Sequence, residues 1–406
     1  MKFDIFFSIC QTPVRGFCPS EKEMFQNFFS QVEAADRLGF ETAWVAESHF
    51  SSEVQKTHKK PVVPHWKGEI GLNTDIYQLA HQIFHRTENI EVGSAVMNIV
   101  CNGGPIAAAE RAATFLTLHG LKRGERRRLH IGFSAGRFDF MNRTTGVVAR
   151  TALEEKFWPV IKGKIFSEAS EIFVRLLSGE TIRSEDIPQP YLSSADFRTT
   201  DDWSEAQGHV SQPTIALPRR WEFEKVKLVP QEFQRDLLQL VVGSHDPATQ
   251  EYVNRFAPVQ VFNLSITKPD IIEDTHRRLS KSYHPSGGPW KREYMPRTVF
   301  VFINEQSGLT DSQKSSAARE EATLALSEYW NALEGTLDRK KIEEASDNAL
   351  VGNADDITKQ ILERFHPDDR LMLWFDFFNH DNERVISNME AFHTKVIPKI
   401  QGTLHA

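Results

Sequence analysis

Cysteine is scarce in this 406-residue chain, which has only Cys10, Cys18 and Cys101. An odd, sparse set without CxxC spacing argues against a disulfide framework or a zinc site and for a reducing compartment, with the cytoplasm as the default. No apolar run approaches the ~20 residues that a membrane helix needs, so no membrane partner is expected. The start, Met1-Lys2-Phe3-Asp4-Ile5-Phe6-Phe7, has an Asp within it and no small-residue cleavage site, and reads as a first strand rather than a signal peptide. Charge of one sign is lacking too. With 48 basic and 55 acidic side chains the net charge is −7, and a mildly acidic protein with dispersed charge is not built to coat phosphates, which speaks against nucleic acid. No GxGxxG stands at a strand–turn–helix junction, so the chain offers no nicotinamide site of its own. His81 and His85 are spaced i, i+4, but HQIFH lacks the glutamate of the zinc-protease motif; they read as an exposed helix face, and no metal is expected.

What is present is alternation. Short apolar strands are expected at 2–9, 42–46, 90–97, 129–134, 237–242, 259–263, 298–303 and 371–375. Helical stretches separate them: one ending at Leu38, then 76–85, 105–118, 246–255, 269–283, 354–365 and a terminal helix over 382–400. Ser20-Glu21-Lys22-Glu23 looks like a capping box, and Gly39 should stop the helix it opens. Buried parallel strands lose the period-2 alternation, as these have. Eight such strands alternating with helices suit one closed (β/α)8 barrel, a single domain over 1–406. Three stretches exceed ordinary loop length: 51–73, 180–233 and 305–348. Loops over ~15 residues in a compact enzyme are lids or binding loops, or else decoration.

Two strand ends carry residues suited to a phosphate. Val241-Val242-Gly243-Ser244-His245-Asp246-Pro247-Ala248-Thr249 ends a buried strand with a glycine and starts a helix with Asp246 as N-cap and Pro247 at N1. Free N–H groups there, with the Ser244 and Thr249 hydroxyls, suit a dianion. Asp246 would repel it unless its carboxylate is fully occupied in capping. Ile131-Gly132-Phe133-Ser134-Ala135-Gly136-Arg137 delivers an arginine, which grips phosphate bidentately.

Three segments resemble the bacterial luciferase-like flavin monooxygenases. Gly39-Phe40-Glu41-Thr42-Ala43-Trp44-Val45-Ala46-Glu47-Ser48-His49-Phe50 is similar to the family's "GFDxxWxxEHHF" second strand. Ile90-Glu91-Val92-Gly93-Ser94-Ala95-Val96-Met97, then Gly104-Pro105-Ile106 and Glu110, is similar to its third strand and the helix after it. Leu350-Val351-Gly352-Asn353, Trp374-Phe375-Asp376 and Val396-Ile397-Pro398 are similar to its closing unit.

The resemblance implies an FMN site at the carboxyl end of the barrel strands. Ala95-Val96 aligns with a pair that the family joins by a cis peptide beneath the flavin ring, and Asn98 would bond the flavin edge. Ser134, Arg137, Gly243, Ser244 and Thr249 would hold the phosphate, with Arg137 two positions later than the family's arginine. His49 and Ser48 fall at the catalytic position. The family has two histidines there, the first catalytic; here Ser48 replaces the first, and His49 is the one able to shuttle a proton near neutral pH. The activity implied is two-component monooxygenation: a separate flavin reductase supplies reduced FMN, and one oxygen atom from O2 enters a small organic substrate. A homodimer is expected on the same ground. Two alternatives stay open, a deazaflavin-dependent oxidoreductase on the same fold and a non-catalytic flavin-binding or regulatory subunit. Substrate contacts should come from the three long insertions.

Overall fold

The computed structural model describes residues 1–50, 53, 66, 68–136, 138–208, 212–333 and 347–404. The strands are β1 Lys2–Phe7, β2 Thr42–Val45, β3 Glu91–Asn98, β4 Leu129–Ser134, β5 Tyr191–Leu192, β6 Ile215–Ala216, β7 Leu238–Val242, β8 Val259–Val261, β9 Arg297–Ile303, β10 Leu350–Gly352 and β11 Arg370–Trp374. Nine of these form one sheet in the order β10-β9-β11-β1-β2-β3-β4-β7-β8, with every pairing parallel. The sheet curls until its far edge returns on itself. Just beyond β8, Asn263 N donates to Pro296 O (2.8 Å) and Thr298 N donates to Asn263 O (3.1 Å), a parallel bridge from Asn263 to Arg297 at the start of β9.

Side-chain alternation sorts this sheet into two faces. Ile5, Phe7, Ala43, Val45, Val92, Ile131 and Phe133 join the large core packed beneath the helices. Phe6, Trp44, Val241, Phe262 and Met372 form a second cluster on the inner side of the curl. Trp44 fits there because Gly93 faces it: a Cβ on Gly93 would stand 2.4 Å from the indole ring. Deeper on the same side, Trp44 Nε1 donates to Asp4 Oδ2 (2.7 Å) and Arg370 pairs with Asp4 Oδ1 (3.0 Å). Burial raises the Asp4 pKa above the ordinary carboxyl value, against the pull of Arg370.

Local signals set the element ends. Ser20 Oγ accepts from Glu23 N at the start of the helix Glu21–Leu38, and Gly39 closes it at φ 82° with its N–H on Ala35 and Asp36 carbonyls. The other expected helices lie at Ile76–Arg86, Gly104–Gly120, Pro247–Val253, Pro269–Ser282 and Ala354–Arg364. The terminal helix runs from Asn382 to Leu404 through a π turn at Phe392–Val396, just before Pro398, whose ring nitrogen has no N–H for the ladder.

Three expectations need correction. The sheet has nine strands, not eight, because β9 is shared: Arg297–Phe300 pairs with β11 and Val301–Ile303 with β10. Residues 305–348 are not merely a loop, since Asp311–Leu333 is helical. Its buried stripe consists of small residues, Ser315, Ala318, Ala322 and Ala325, which carry little hydrophobic signal but let the helix lie close on the sheet. Residues 180–233 hold the antiparallel pair β5–β6 and the helix Thr200–Gln207. They dock on the outside, where Glu168 accepts from the Arg220 and Trp221 backbone N–H groups.

Candidate active site

A cavity of about 590 Å³ opens where the carboxyl ends of the strands meet. Ser8 and Cys10 reach it from β1, Glu47 and Ser48 from β2, Ala95, Val96 and Asn98 from β3, and Ser134 to Gly136 from β4. Gly243, Ser244 and His245 follow β7, Phe262 and Leu264 follow β8, and Trp374, Phe377 and Phe378 follow β11. Parallel α/β architectures place their ligands at this end of the sheet. The 51–73 insertion adds Trp66, Ile70 and Gly71, and the helix Asp311–Leu333 adds Tyr329. Among the described lining residues none comes from 180–233.

One end of the cavity is polar and tightly built. The Ala95–Val96 peptide is cis. A Cβ on Gly136, whose φ is 75°, would come 2.2 Å from Asn98 Nδ2, so that position needs glycine; one on Gly243 would make a tight contact, 3.0 Å from Val96 Cγ2. Ser134 Oγ accepts from Gly136 N (3.1 Å) and Ser244 Oγ from Asp246 N (3.2 Å). Each hydroxyl therefore keeps its proton to donate to an anionic or carbonyl oxygen. His245 lies beside them, and burial lowers its pKa, so near neutral pH it stands uncharged. Arg137, the expected phosphate partner, lies outside the described residues. A lysine that sequence reasoning missed is close by: Lys162 Nζ donates to Gly136 O (2.7 Å) and pairs with Asp139 (2.7 Å).

The helix start after β7 does not serve as expected. Asp246 accepts from the N–H groups of Ala248 and Thr249 and from the Thr249 hydroxyl (2.6 Å). The carboxylate thus occupies the donors meant for a phosphate, and Thr249 is not among the lining residues. Asn98 does line the cavity, but its amide is engaged. Its Nδ2 donates to Asn142 Oδ1 (2.8 Å) and its Oδ1 accepts from Val100 N (3.0 Å), holding the loop together.

The residues after β2 separate into two roles. Ser48 is buried and faces the cavity, fixed by its backbone N–H on Asn73 O (3.0 Å). The His49 ring is not part of the lining. It turns to Glu47, 3.0 Å from Nε2, and to Asn102, 2.9 Å from Nδ1. Burial opposes its protonation, but hydrogen bonding and charge from Cys101 and Glu47 outweigh it and raise its pKa to about 10. That charged form would set the Asn102 amide donor against a second N–H, so in the geometry present Nδ1 accepts from Asn102 Nδ2 and Nε2–H donates to Glu47, whose side chain is only 3% exposed; with both ring nitrogens engaged, His49 is a clamp on Glu47.

Left-handed backbone gathers at the same mouth. Ile9 (φ 43°) lies between Ser8 and Cys10, and Phe378 (φ 50°) is in the wall. Asn102 (φ 52°) and Phe50 (φ 65°) flank His49. Side chains rarely adopt this conformation, least of all a β-branched one, and such outliers concentrate at functional sites.

The family model of the luciferase-like monooxygenases matches residues 1–367. The chain belongs to this family. No curated protein matches it significantly. Among solved structures it is similar to the monooxygenase RslO1 from Streptomyces bottropensis, at TM-score 0.66 and 17% identity over 98% of this chain and 99% of that one. It is also similar to the oxygenating constituent of 3,6-diketocamphane monooxygenase from the CAM plasmid of Pseudomonas putida, solved with FMN. Here the TM-score is 0.58 and the identity 13%, over 98% and 99% of the two chains. An F420-dependent secondary alcohol dehydrogenase, bound to an F420–acetone adduct, superposes at TM-score 0.53 and 11% identity over the same shares. At such identities these neighbours establish the fold alone.

For a luciferase-like monooxygenase, the sequence located most strand-end residues of the site but missed its far wall. Trp374, Phe377 and Phe378 belong to an aromatic run that composition alone assigns to the core, whereas only Phe375 of that run joins the main core. Asp376, in the same run, has one carboxyl oxygen buried without a partner, and burial raises its pKa to about 7. Its motif was visible; its environment was not. Among the described residues no cluster of His, Cys, Asp and Glu is fit to hold a metal, and no helix is long and apolar enough to cross a membrane.

Proposed function

We propose that the chain is the oxygenating component of a two-component system that uses reduced FMN from a separate reductase, and that the curled sheet acts as a closed (β/α)8 barrel with β10 outside it. The observation that carries this reading is the cavity, whose size lies within the usual ~300–1,000 Å³ of cofactor sites. It combines apolar walls with two hydroxyl donors, Ser134 and Ser244, at one end. The residues fit a flavin: Gly136 and Gly243 pack closely on Asn98 and Val96 beside the Ser134 and Ser244 hydroxyls, and Ala95 and Val96 offer an apolar bed. Ser134, Ser244 and the Gly243 backbone would hold the phosphate, with Arg137 completing the set. When bound, reduced FMN supplies the two electrons that let O2 give one oxygen atom to a small organic substrate and the other to water.

The remaining work falls to this chain's side chains. Ser48 donates a hydrogen bond at the reacting face, and His49 acts as a positioning residue that fixes Glu47 beside it. The apolar wall from Trp66 and Tyr329 excludes water. We take the working unit to be a cytoplasmic homodimer with no nucleic-acid or membrane partner, its activity contained in one barrel domain over 1–406.

The test is reconstitution. The purified chain, titrated with reduced FMN under anaerobic conditions, is expected to bind it. On mixing with oxygen, substrate-dependent oxygen uptake should then exceed the uncoupled rate. Ser134→Ala combined with Ser244→Ala should weaken FMN binding by more than tenfold. Binding of a deazaflavin but not FMN, with hydride transfer and no oxygen uptake, would replace this reading. Flavin binding without turnover of any substrate would favour a regulatory subunit.

A further inference from the structure

The two ends of the cavity differ in chemistry. Opposite the hydroxyls of Ser134 and Ser244 the wall is aromatic: Phe6, Trp66, Tyr329, Trp374, Phe377 and Phe378. Their rings already meet one another in tilted or edge-on pairs. Phe6 and Trp374 are 4.5 Å apart, Trp374 and Phe377 4.9 Å, Phe377 and Phe378 4.9 Å, and Trp66 and Phe378 5.8 Å. A further ring set edge-on or offset against such a wall gains about 0.5–1.5 kcal/mol beyond the area it buries.

Two polar atoms interrupt this wall. The indole Nε1 atoms of Trp66 and Trp374 are buried and have no hydrogen-bond partner. The Trp374 N–H is directed toward the Asp376 carboxyl but falls outside strict hydrogen-bond geometry, so the Trp66 N–H is the donor with no acceptor near it among the described residues. Buried donors are seldom orphaned in native proteins, and the usual remedy in a cavity is an acceptor on the ligand. Charge points the same way. None of the described lining residues is lysine or arginine, while Glu47 is among them. An anion at this end would meet aromatic rings and no lysine or arginine of the described lining.

We propose that this end is the substrate subsite, and that it takes an uncharged aromatic molecule bearing an acceptor oxygen, its ring held in the aromatic wall and its oxygen on the indole N–H of Trp66 or Trp374. The proposal rests on the reading above only in assigning the opposite end to the cofactor. It names the class of substrate, a neutral aryl ketone or similar oxygenated ring, and excludes aryl carboxylates and linear aliphatic carbonyls as good occupants.

Calorimetric binding to the full chain, with and without FMN, tests it using four probes: 2-acetylnaphthalene, naphthalene, 2-naphthoate and decanal. The ketone is expected to bind at least tenfold more tightly than naphthoate or decanal. Trp66→Phe and Trp374→Phe keep the ring and remove the N–H. At least one should weaken the ketone about tenfold, the cost of one lost hydrogen bond, while leaving naphthalene binding within twofold. Unchanged naphthalene binding also shows that the variant is folded. The proposal is overturned if naphthoate or decanal binds as well as the ketone, if the ketone does not bind, or if neither variant separates ketone from naphthalene. A parallel FMN titration keeps the two readings apart: loss of FMN binding with retained ketone selectivity defeats the cofactor assignment alone, and the converse defeats the subsite alone.

Discussion

Replacing Asp376 by asparagine should stabilise the protein at alkaline pH and do little under acid conditions. The side chain sits just past β11 with one oxygen unpaired, and burial raises its pKa from 3.8 to about 7. In the unfolded chain the carboxyl loses its proton near 3.8, while in the folded chain it keeps it until about 7. Between those values the folded state binds more protons, so the stability contributed by this residue falls as pH rises, by roughly 1.4 kcal/mol per pH unit, and levels off above 7. The amide of the Asp376→Asn variant would retain the acceptor for the Ser8 backbone N–H without carrying the titrating proton. The stability gap between Asp376→Asn and the parent should therefore widen by roughly 2–3 kcal/mol from pH 5 to pH 8, in favour of the variant. Urea denaturation at those two pH values, with a matched slope for both proteins, reads it directly. A gap that stays constant, or that narrows as pH rises, would show that Asp376 is ionised in the folded protein and refute the argument.

Three further outcomes follow from the same packing. Arg370→Met leaves Asp4, which is fully buried, without its cation; thermal or urea unfolding should show a loss of about 3–5 kcal/mol, and adding Asp4→Asn should recover part of it. Gly93→Ala drives a methyl into the Trp44 ring at 2.4 Å, so about 1–3 kcal/mol should be lost, with a change in near-ultraviolet circular dichroism from the displaced indole. Glu91 has its pKa lowered to about 2: burial opposes this, but His130 at 2.5 Å and Arg128 outweigh it. Its stabilising contribution is complete above the ordinary value of 4.5 and is lost as pH falls toward 2. Glu91→Gln should therefore destabilise at pH 7 and become neutral near pH 2 in acid-unfolding curves; equal destabilisation at both would contradict the assignment.

The architecture was legible because its signals are local. Continuous apolar runs marked the strands, and Ser20 and Gly39 marked the ends of a helix through side-chain capping and a left-handed turn. The helix Asp311–Leu333 was not legible in the same way. Its buried residues are alanines and a serine, which show no apolar stripe until the sheet they touch is known. Ninth-strand pairing was hidden for a similar reason, since Leu350–Gly352 is three residues long and pairs only with the upper half of β9.

The site divides along the same line. Position along a strand end is a sequence property, so Ser48, Val96, Ser134 and Ser244 reach the cavity as expected. Direction and occupancy are not sequence properties. Thr249 lies outside the lining with its hydroxyl on Asp246, and the Asn98 amide is engaged within its own loop. His49 turns aside because Glu47 and Asn102 satisfy both ring nitrogens. Each case is a polar group that finds an intramolecular partner first, and a buried polar group that has done so costs energy to redirect. By the same logic, the groups that matter for ligands are those left unsatisfied. Here they are the hydroxyl protons of Ser134 and Ser244, the indole N–H groups of Trp66 and Trp374, and one oxygen of Asp376. The substitution of Ser48 for the family's first histidine then has a consequence. With His49 turned away to Glu47 and Asn102, the titratable groups of the described lining include Glu47 and His245, and Asp376 stands in the chain segment that supplies the lining residues Trp374 and Phe377. Burial raises the Asp376 pKa to about 7, and efficient proton transfer at working pH favours a group poised there.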